Sequence, residues 1–518
     1  MAATRSRTVT RARNEPPPAH RVRVAIIGAG FGGLGMAMRL KQAGIDDFVV
    51  LERAAEVGGT WQVNTYPGAQ CDIPSILYSF SFAPNPKWTR LYPLQPEIHE
   101  YLRDCAENFG LGPHLRLGHE VLDASWDERA GHWTIVTGHG TWQAQILVGA
   151  MGPFSEPATA DLPGLDSFQG KVFHTAAWNH EHDMSGGRVA VIGTGASAVQ
   201  IIPRLQPRVG ALTVFQRTPT WILPHPDRSM TGRSRRMLER FPAVQRMART
   251  GIDLFHESLV PGFVYRPGLL TWMDLLGRAH LRRQVRDREL RAKLTPAYKF
   301  GCKRPTFSST YYPALAAANT EVVTSGIREV RPDGIVTADG VTHEVDTIVM
   351  GTGFRTTDNP AFGRLRGRGG RPLSEVWDGD ASAYLGTTIN GFPNLFFLLG
   401  PNSVVYTSQV VTIEAQVTYV LSCLRAMDRR SLTSIEVRGD VQRKFVEAVD
   451  RGLRGSVWNS GGCDSYYLND AGRNHVFFPG FNRRFRARTR NVDLSEYHTT
   501  GQGKAMRHNG SGSTERSS

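Results

Sequence analysis

An α/β fold built from two Rossmann-like units, the second carrying a helical insertion, is what the 518-residue sequence predicts. Three observations carry that expectation. A strand, a glycine turn and a helix follow one another twice, over residues 22–52 and again over 188–217. Between residues 224 and 296 the β signal vanishes, and helix formers with apolar residues four apart replace it (Leu281/Val285, Leu290/Leu294). Strand-like runs then resume at 320–323, 347–350 and 392–399, so the chain is expected to return to its first unit.

Taken in order, residues 1–20 are rich in arginine and contain Pro16-Pro17-Pro18, which reads as a disordered basic tail. The first part of the first domain spans 21–155. Its strand Val22–Ile27 leads to a helix through Leu34, Met38 and Leu40 that stops at Gly44, and a second strand runs Phe48–Glu52. The second domain spans 156–345, with strands at Arg188–Ile192 and Leu212–Gln216 around a helix at Ala198–Leu205. Its insertion, 224–296, is read as helices such as Arg235–Arg240 and Leu281–Leu294. Residues 346–490 complete the first domain, with a buried strand at Phe392–Leu399. The polar, Gly/Ser-rich stretch 491–518 reads as a disordered tail.

Composition removes several classes. Hydrophobic residues are 40% and charged residues 21%, ordinary for a globular chain, which excludes wholesale disorder. The longest apolar run, Leu395–Leu399, is far short of the roughly 18 residues of a membrane span. Net charge is +14, but residues 1–23 and 482–518 supply +5 each. Basicity concentrated in the two ends argues for solvated tails and against a nucleic-acid partner. The five cysteines, Cys71, Cys105, Cys302, Cys423 and Cys463, form no C-x-x-C pair and no zinc spacing, so no metal site is expected. So sparse a set fits a reducing cytosol, and the N-terminus lacks the apolar core of a secretory signal. A cytoplasmic location follows as an expectation.

The first turn, Gly28-Ala29-Gly30-Phe31-Gly32-Gly33, is G-x-G-x-x-G between strand and helix. Its first glycine makes the tight turn, and the second lets a pyrophosphate approach the backbone. The third lets helix and strand pack closely. Glu52 ends the next strand, where a carboxylate accepts from ribose hydroxyls. The second turn is Gly193-Thr194-Gly195-Ala196-Ser197-Ala198. Glu52 lies 24 residues after Gly28, and Arg217 lies 24 residues after Gly193. A carboxylate there repels a 2′-phosphate, whereas a guanidinium offers the planar fork that a phosphate takes. Site one is therefore expected to hold the ribose of FAD or NAD, and site two NADPH. Two different dinucleotides on one chain point to hydride passing from NADPH to a flavin. A flavin that reduces a disulfide needs a paired-cysteine motif, and the sequence has none.

Phe168-x-Gly170-x-x-x-His174-x-x-x-Trp178, just before the second turn, resembles the F-x-G-x-x-x-H-x-x-x-W fingerprint of the type I Baeyer–Villiger monooxygenases. Gly58-Gly59-Thr60-Trp61, Tyr66–Ala69 with Cys71-Asp72, Gly301–Pro305, Asp346–Phe354, Gly400–Ser403 and Phe478–Phe481 are similar to further segments of that family. The resemblance covers residues 22–490. It departs at Gln62 and Val63, where the family often has aromatic residues, and at Gly351, which replaces the alanine of A-T-G.

The resemblance implies a class B flavoprotein monooxygenase with FAD and NADPH as cofactors and a small ketone and O₂ as substrates. The ketone becomes an ester or lactone through a C4a-peroxyflavin. It implies FAD contacts at Gly28, Gly30, Phe31, Gly33, Glu52, Arg53, Gly59, Thr60, Trp61, Asp72, Tyr78, Val121, Gly353 and Asn402. It implies NADPH contacts at Gln70, Cys71, Asp72, at Gly193 to Ala198, and at Gln200, Arg217, Thr218 and Lys303. Arg304 is the implied catalytic cation, with Asp72 pairing and positioning it. The nucleophile must stay anionic to attack a carbonyl, and a fixed cation lowers its proton affinity and stabilises the resulting oxyanion. His174 and Trp178 are expected to couple the two domains. Oxygenation of amine nitrogen or sulfide sulfur, and an uncoupled NADPH oxidase, stay open as alternatives at this stage.

Overall fold

The computed structural model describes residues 19–356 and 358–501. The first sheet is built on a parallel core of β1 (His20–Ile27), β2 (Phe48–Leu51) and β6 (Gly140–Gly149), extended by the short β3 (Leu115–Arg116). β4 (Val121–Asp127) and β5 (His132–Thr137) join β6 as an antiparallel meander. The chain does return: Leu395–Phe397 pairs in parallel with the end of β6, and Leu365–Arg366 with β4. The second half of β1, Val24–Ile27, and all of β2 are apolar on both faces because both faces are covered there, as a parallel sheet requires. Ile26 is fully buried there, so Ile26→Ala should cost about 2–5 kcal/mol.

Helix α1 (Phe31–Gln42) packs between this sheet and the long helix Gln409–Arg430. Gly35 leaves room for the Phe80 ring on this helix, because a Cβ there would lie 2.8 Å from it. Gly44, at φ +74°, ends the helix as the sequence predicts. Gln409–Arg430 is the one described helix long and apolar enough to cross a membrane, but 78% of its apolar window is buried in the core. Helices α2 (Thr60–Val63) and α3 (Gln95–Asn108) complete the layer that faces the first glycine turn.

The second sheet is parallel throughout, in the order Thr320–Val323, β9 (Ala211–Phe215), β8 (Arg188–Ile192), Thr347–Met350 and β7 (Lys171–His174). Helix α4 (Ala196–Leu205) follows β8 and buries Ala198, Ile201 and Ile202 against it. The stretch from 224 to 296 holds α5 (Gly232–Arg240), α6 (Pro242–Val260), α7 (Thr271–Gln284) and α8 (Arg288–Lys293).

Three expectations change. Leu281–Leu294 is two helices: Val285 is extended and fully buried, and the Asp287 carboxylate accepts from Leu290 N at 2.6 Å to start α8. The strand at 392–399 shortens to Leu395–Phe397, bounded by Asn394 (φ +56°) and Leu399 (φ +58°). The stretch from 491 is not a tail at its start, since Tyr497–Gly501 pairs antiparallel with Leu432–Val437 and Tyr497 is buried. One apolar anchor, Tyr497, was hidden in a polar stretch. Residues 1–18 and 502–518, the rest of both expected tails, lie outside the described residues.

Candidate active site

Both glycine turns open onto one cavity of about 1980 Å³, which reaches from Gly28 and Glu52 to Arg217 and Lys303. That exceeds the roughly 300–1,000 Å³ of an ordinary small-ligand pocket, so it has room for more than one large ligand.

On the first side, Gly28 sits at φ +101°, and a Cβ there would lie 2.7 Å from Ala150 O. Gly59, at φ +55°, brings its backbone against Gly30, leaving a cradle without side chains. Glu52 is buried, and its two oxygens accept from Ala29 N (2.6 Å) and Ala54 N (2.8 Å). Each keeps a lone pair for a ribose hydroxyl, so the backbone orients the carboxylate. Arg53 is tied to Glu156 and to Ser155 O, which latches the strand end to the interdomain linker. Thr60, Trp61 and Tyr78 line the cavity, with Trp61 Nε1 donating to Tyr78 Oη at 3.0 Å. Val121 and Gly353 also line it. A dinucleotide with a free ribose fits this half.

On the second side, Gly193, at φ +116°, could not carry a Cβ, which would fall 2.3 Å from Gly351 O. Gly195 faces open space. Thr194 Oγ1 donates to Thr218 O at 2.8 Å, fixing the turn to the segment that carries Arg217. Arg217 is exposed and Lys303 stands close enough to feel its charge. Burial holds the Lys303 ammonium below its ordinary pKa; Asp464 opposes that effect, and Arg217 adds to it. Two converging cations at a cavity wall are a site for a dianion. Gln70 and Gln200 meet each other: Gln200 Nε2 donates to Gln70 O (2.8 Å), and Tyr66 Oη to Gln200 Oε1 (2.9 Å). They stitch the two domains together at the cavity wall, where Ala196 and Ser197 also lie.

Between the halves, Arg304 Nε donates to Asp72 Oδ2 (2.7 Å) and Nη2 to Asp72 Oδ1 (2.6 Å), a bidentate pair across 232 residues of sequence. The Asp72 carboxylate raises the Arg304 pKa well above its ordinary value. Burial works against the Asp72 anion, but the guanidinium outweighs it and holds the carboxyl below its usual range. The side chain of Arg304 keeps 43% of its surface open, and that surface faces the cavity. Cys71, next door, is buried; burial, and then the Asp72 charge, push its thiol well up, so it is not a nucleophile.

The Arg304 loop carries a correction. Cys302 and Cys463 form a disulfide across 161 residues, whereas the sequence reading left all five cysteines unpaired. Cys71, Cys105 and Cys423 are free and buried. Linear spacing cannot reveal a pair that only the tertiary fold brings together. The bridge ties Cys302, two residues before Arg304, to the segment carrying Tyr466 and Tyr467, which line the same cavity as the guanidinium.

A family model described as pyridine nucleotide-disulphide oxidoreductase matches residues 25–253, the stretch holding both glycine turns. A Baeyer–Villiger monooxygenase of Pseudomonas aeruginosa is 49% identical over 488 residues, covering 94% of this chain and 93% of its own. Another, from Streptomyces coelicolor, is 48% identical over 478 residues, covering 92% of each. The chain belongs to the Baeyer–Villiger monooxygenase family. Among solved structures, cyclohexanone monooxygenase from Rhodococcus sp. Phi1 bound to NADP⁺ superposes with a TM-score of 0.85 at 29% identity, covering 94% of this chain and 100% of that one. An oxidised steroid monooxygenase bound to NADP gives 0.83 at 30% identity, with 93% and 100% covered. This family member is thus an NADPH-dependent flavoprotein monooxygenase with FAD as its prosthetic group, and both halves of its cavity suit those cofactors.

The remaining residues singled out from the sequence divide into two groups. Gly33 and Ala198 lie behind the turns: Ala198 is fully buried, and a Cβ on Gly33 would fall 1.8 Å from Gly28 O. They set helix-to-strand spacing. Asn402 is also corrected, because it is fully buried, with Nδ2 donating to Asn474 O (2.8 Å) and Oδ1 accepting from Arg473 (3.0 Å). It anchors the 473–477 loop. The fingerprint residues stand off the cavity: Phe168 packs under the second sheet, and Gly170 passes Asp346 O so closely that a Cβ would sit 2.2 Å from it. His174 Nδ1 accepts from Ala176 N at 3.1 Å, its ring meets Phe354 edge-on at 5.8 Å, and Trp178 packs edge-on against Phe173. Sequence reasoning missed Tyr466, Tyr467, Tyr406 and His475, all on the cavity wall. The only signal available was the Ser465-Tyr466-Tyr467 cluster, which nothing in the sequence links to Arg304.

Proposed function

We propose that this monooxygenase inserts one oxygen atom beside a ketone carbonyl, with Arg304 as the catalytic cation and Asp72 as the group that positions it. The overall change is ketone, O₂, NADPH and a proton to ester or lactone, NADP⁺ and water. Bound FAD, reduced by NADPH, supplies the activated oxygen. The observation that carries the reading is the Arg304–Asp72 bidentate pair, which faces the cavity between the two nucleotide turns.

Glu52 and the bare backbone at Gly28, Gly30 and Gly59 hold the FAD ribose and pyrophosphate. Arg217 and Lys303 hold the 2′-phosphate of NADPH. Arg304 stays charged at every working pH and cannot donate its proton, so an oxygen beside it remains anionic and nucleophilic. The same guanidinium stabilises charge that develops on the substrate carbonyl oxygen. Asp72 occupies one edge of the fork, so the free edge of the guanidinium points into the cavity. His174, which accepts from Ala176 N and touches Phe354, links the second sheet to the segment that leaves it after Met350 toward the FAD domain. It positions the domains and touches no reacting atom.

A ketone and a thioether offered together to the purified enzyme with NADPH test this reading. Ester or lactone should exceed sulfoxide in the products. Sulfoxide alone would replace the ketone reading by oxygenation of sulfur.

A further inference from the structure

The interior carries only about +4 of the net charge, but it is not uniform: residues 224–296 hold fifteen basic and seven acidic residues. Three of these acids are used inward, and Asp274, Asp287 and Glu289 are engaged within their own helices. Asp227 pairs with Arg90, Asp253 accepts from Thr407 Oγ1 and Asn482, and Glu257 accepts from Arg483 N. The cations turn outward, with Arg236, Arg240, Arg246, Arg282 and Arg283 exposed and without a carboxylate within ion-pair distance among the described residues.

The same surface is apolar. Of eighteen large hydrophobic residues exposed among the described residues, ten fall between 237 and 276, so exposed apolar surface is concentrated in this insertion. On α6, Met247, Leu254 and Phe255 share one helical face, while Gln245, Glu257 and Val260 lie buried. On α7, Trp272, Leu275 and Leu276 share an outward face that continues into Arg282 and Arg283, while Met273, Gly277 and His280 face inward. Phe255, Trp272 and Leu276 are at once 59%, 52% and 42% exposed and part of the cavity wall, so the two apolar stripes meet at the cavity mouth.

We propose that this face of α6 and α7 docks on an anionic lipid surface and that lipophilic substrate enters the cavity from it. Exposed Trp, Phe and Leu flanked by arginine are the chemistry of an interfacial helix on acidic headgroups. A second copy of this chain is disfavoured, because pairing would oppose two strongly basic faces. A protein partner seated here would close the mouth through which substrate passes. The substrate route rests on the ketone reading above; the docking does not.

Co-sedimentation of the full-length, FAD-loaded enzyme with vesicles tests it. One set is equal parts phosphatidylglycerol and phosphatidylcholine, the other phosphatidylcholine alone. Binding should appear with the anionic set at low salt and disappear in about 0.5 M salt, where screening is nearly complete. Arg282→Glu/Arg283→Glu should lower partitioning at least about twentyfold, since each interfacial cation contributes roughly fivefold. Leu254→Ser/Leu275→Ser, whose residues lie outside the cavity wall, should lower it without changing turnover of a short water-soluble ketone by more than twofold. Equal sedimentation with both vesicle sets, or parent-like binding by the arginine variant, would overturn the proposal. So would light scattering that shows a dimer lost in Leu254→Ser/Leu275→Ser. If docking holds but anionic vesicles do not accelerate a long-chain ketone over a short one, the surface stands and the ketone route fails.

Discussion

The two glycine turns perform one task with different parts. In the first, the third glycine of the G-x-G-x-x-G pattern is Gly33, and no side chain fits there because a Cβ would reach to within 1.8 Å of Gly28 O. In the second, the corresponding residue is Ala198, whose methyl is fully buried yet accommodated: even a Cβ built on Gly351, just past the neighbouring strand, would meet it at 3.4 Å, an ordinary contact. Charge differs in the same way. Glu52 ends its strand buried and held by two backbone N–H groups, whereas Arg217 is exposed, beside Lys303. One turn offers a buried carboxylate fixed by the backbone, the other an exposed guanidinium beside an ammonium.

That contrast can be broken at several points. Gly33→Ala should fail most severely, destabilising by more than about 4 kcal/mol because the backbone itself must move. A variant that purifies yellow and melts with the parent would show that the first turn has slack. His475 is one of four buried histidines among the described residues. His475 has no hydrogen-bond partner at either ring nitrogen, and burial pushes its pKa from 6.5 down to about 4. The unfolded chain therefore binds the extra proton between pH 6.5 and about 4, and stability should fall through that window by about 3 kcal/mol. His475→Asn should flatten the change in urea midpoint between those pH values; an unchanged slope would place the acid sensitivity elsewhere.

Arg217→Ala should raise the KM for NADPH by about one to two orders of magnitude and leave that for NADH nearly unchanged, as loss of a charge-assisted contact of about 1.5–3 kcal/mol requires. Equal loss with both would remove the 2′-phosphate assignment. Gly195→Ala is the mildest. With open space around it, the fold should tolerate the methyl within about 0.5 kcal/mol, yet KM for NADPH should rise about tenfold as the pyrophosphate meets it. A changed melting temperature with unchanged KM would reverse the reading of that glycine.

Much of this was legible because short-range patterns encode it. The glycine turns, Glu52 and Arg217 lie within 30 residues of one another in each unit, and β1, β2, β8 and β9 each hold a short, largely apolar β-branched run next to a turn signal. What stayed hidden is long-range. Asp72 meets Arg304 across 232 residues, Cys302 meets Cys463 across 161, and Asn402 turns toward residues 474–477 and away from the cavity. The family resemblance pointed to the first of these pairs, but no periodicity or spacing could. Tyr497 shows the opposite failure, a single buried side chain in a stretch whose composition reads as tail.

The central claim is that Arg304, aimed by Asp72, makes the oxygen transfer possible after NADPH has delivered its electrons. The most direct measurement is the ratio of ester formed to NADPH consumed in Arg304→Ala, with hydrogen peroxide assayed in parallel. The variant should keep its FAD, because the cradle at Gly28, Gly30, Glu52 and Gly59 is untouched. Ester formation should drop at least 10²–10³-fold, the cost of removing one oxyanion-stabilising group, while NADPH oxidation continues into peroxide. Arg304→Lys should restore little, since an ammonium lacks the fork that Asp72 grips and can give up a proton. Ester formation above about a tenth of the parent rate, with peroxide unchanged, would contradict the account.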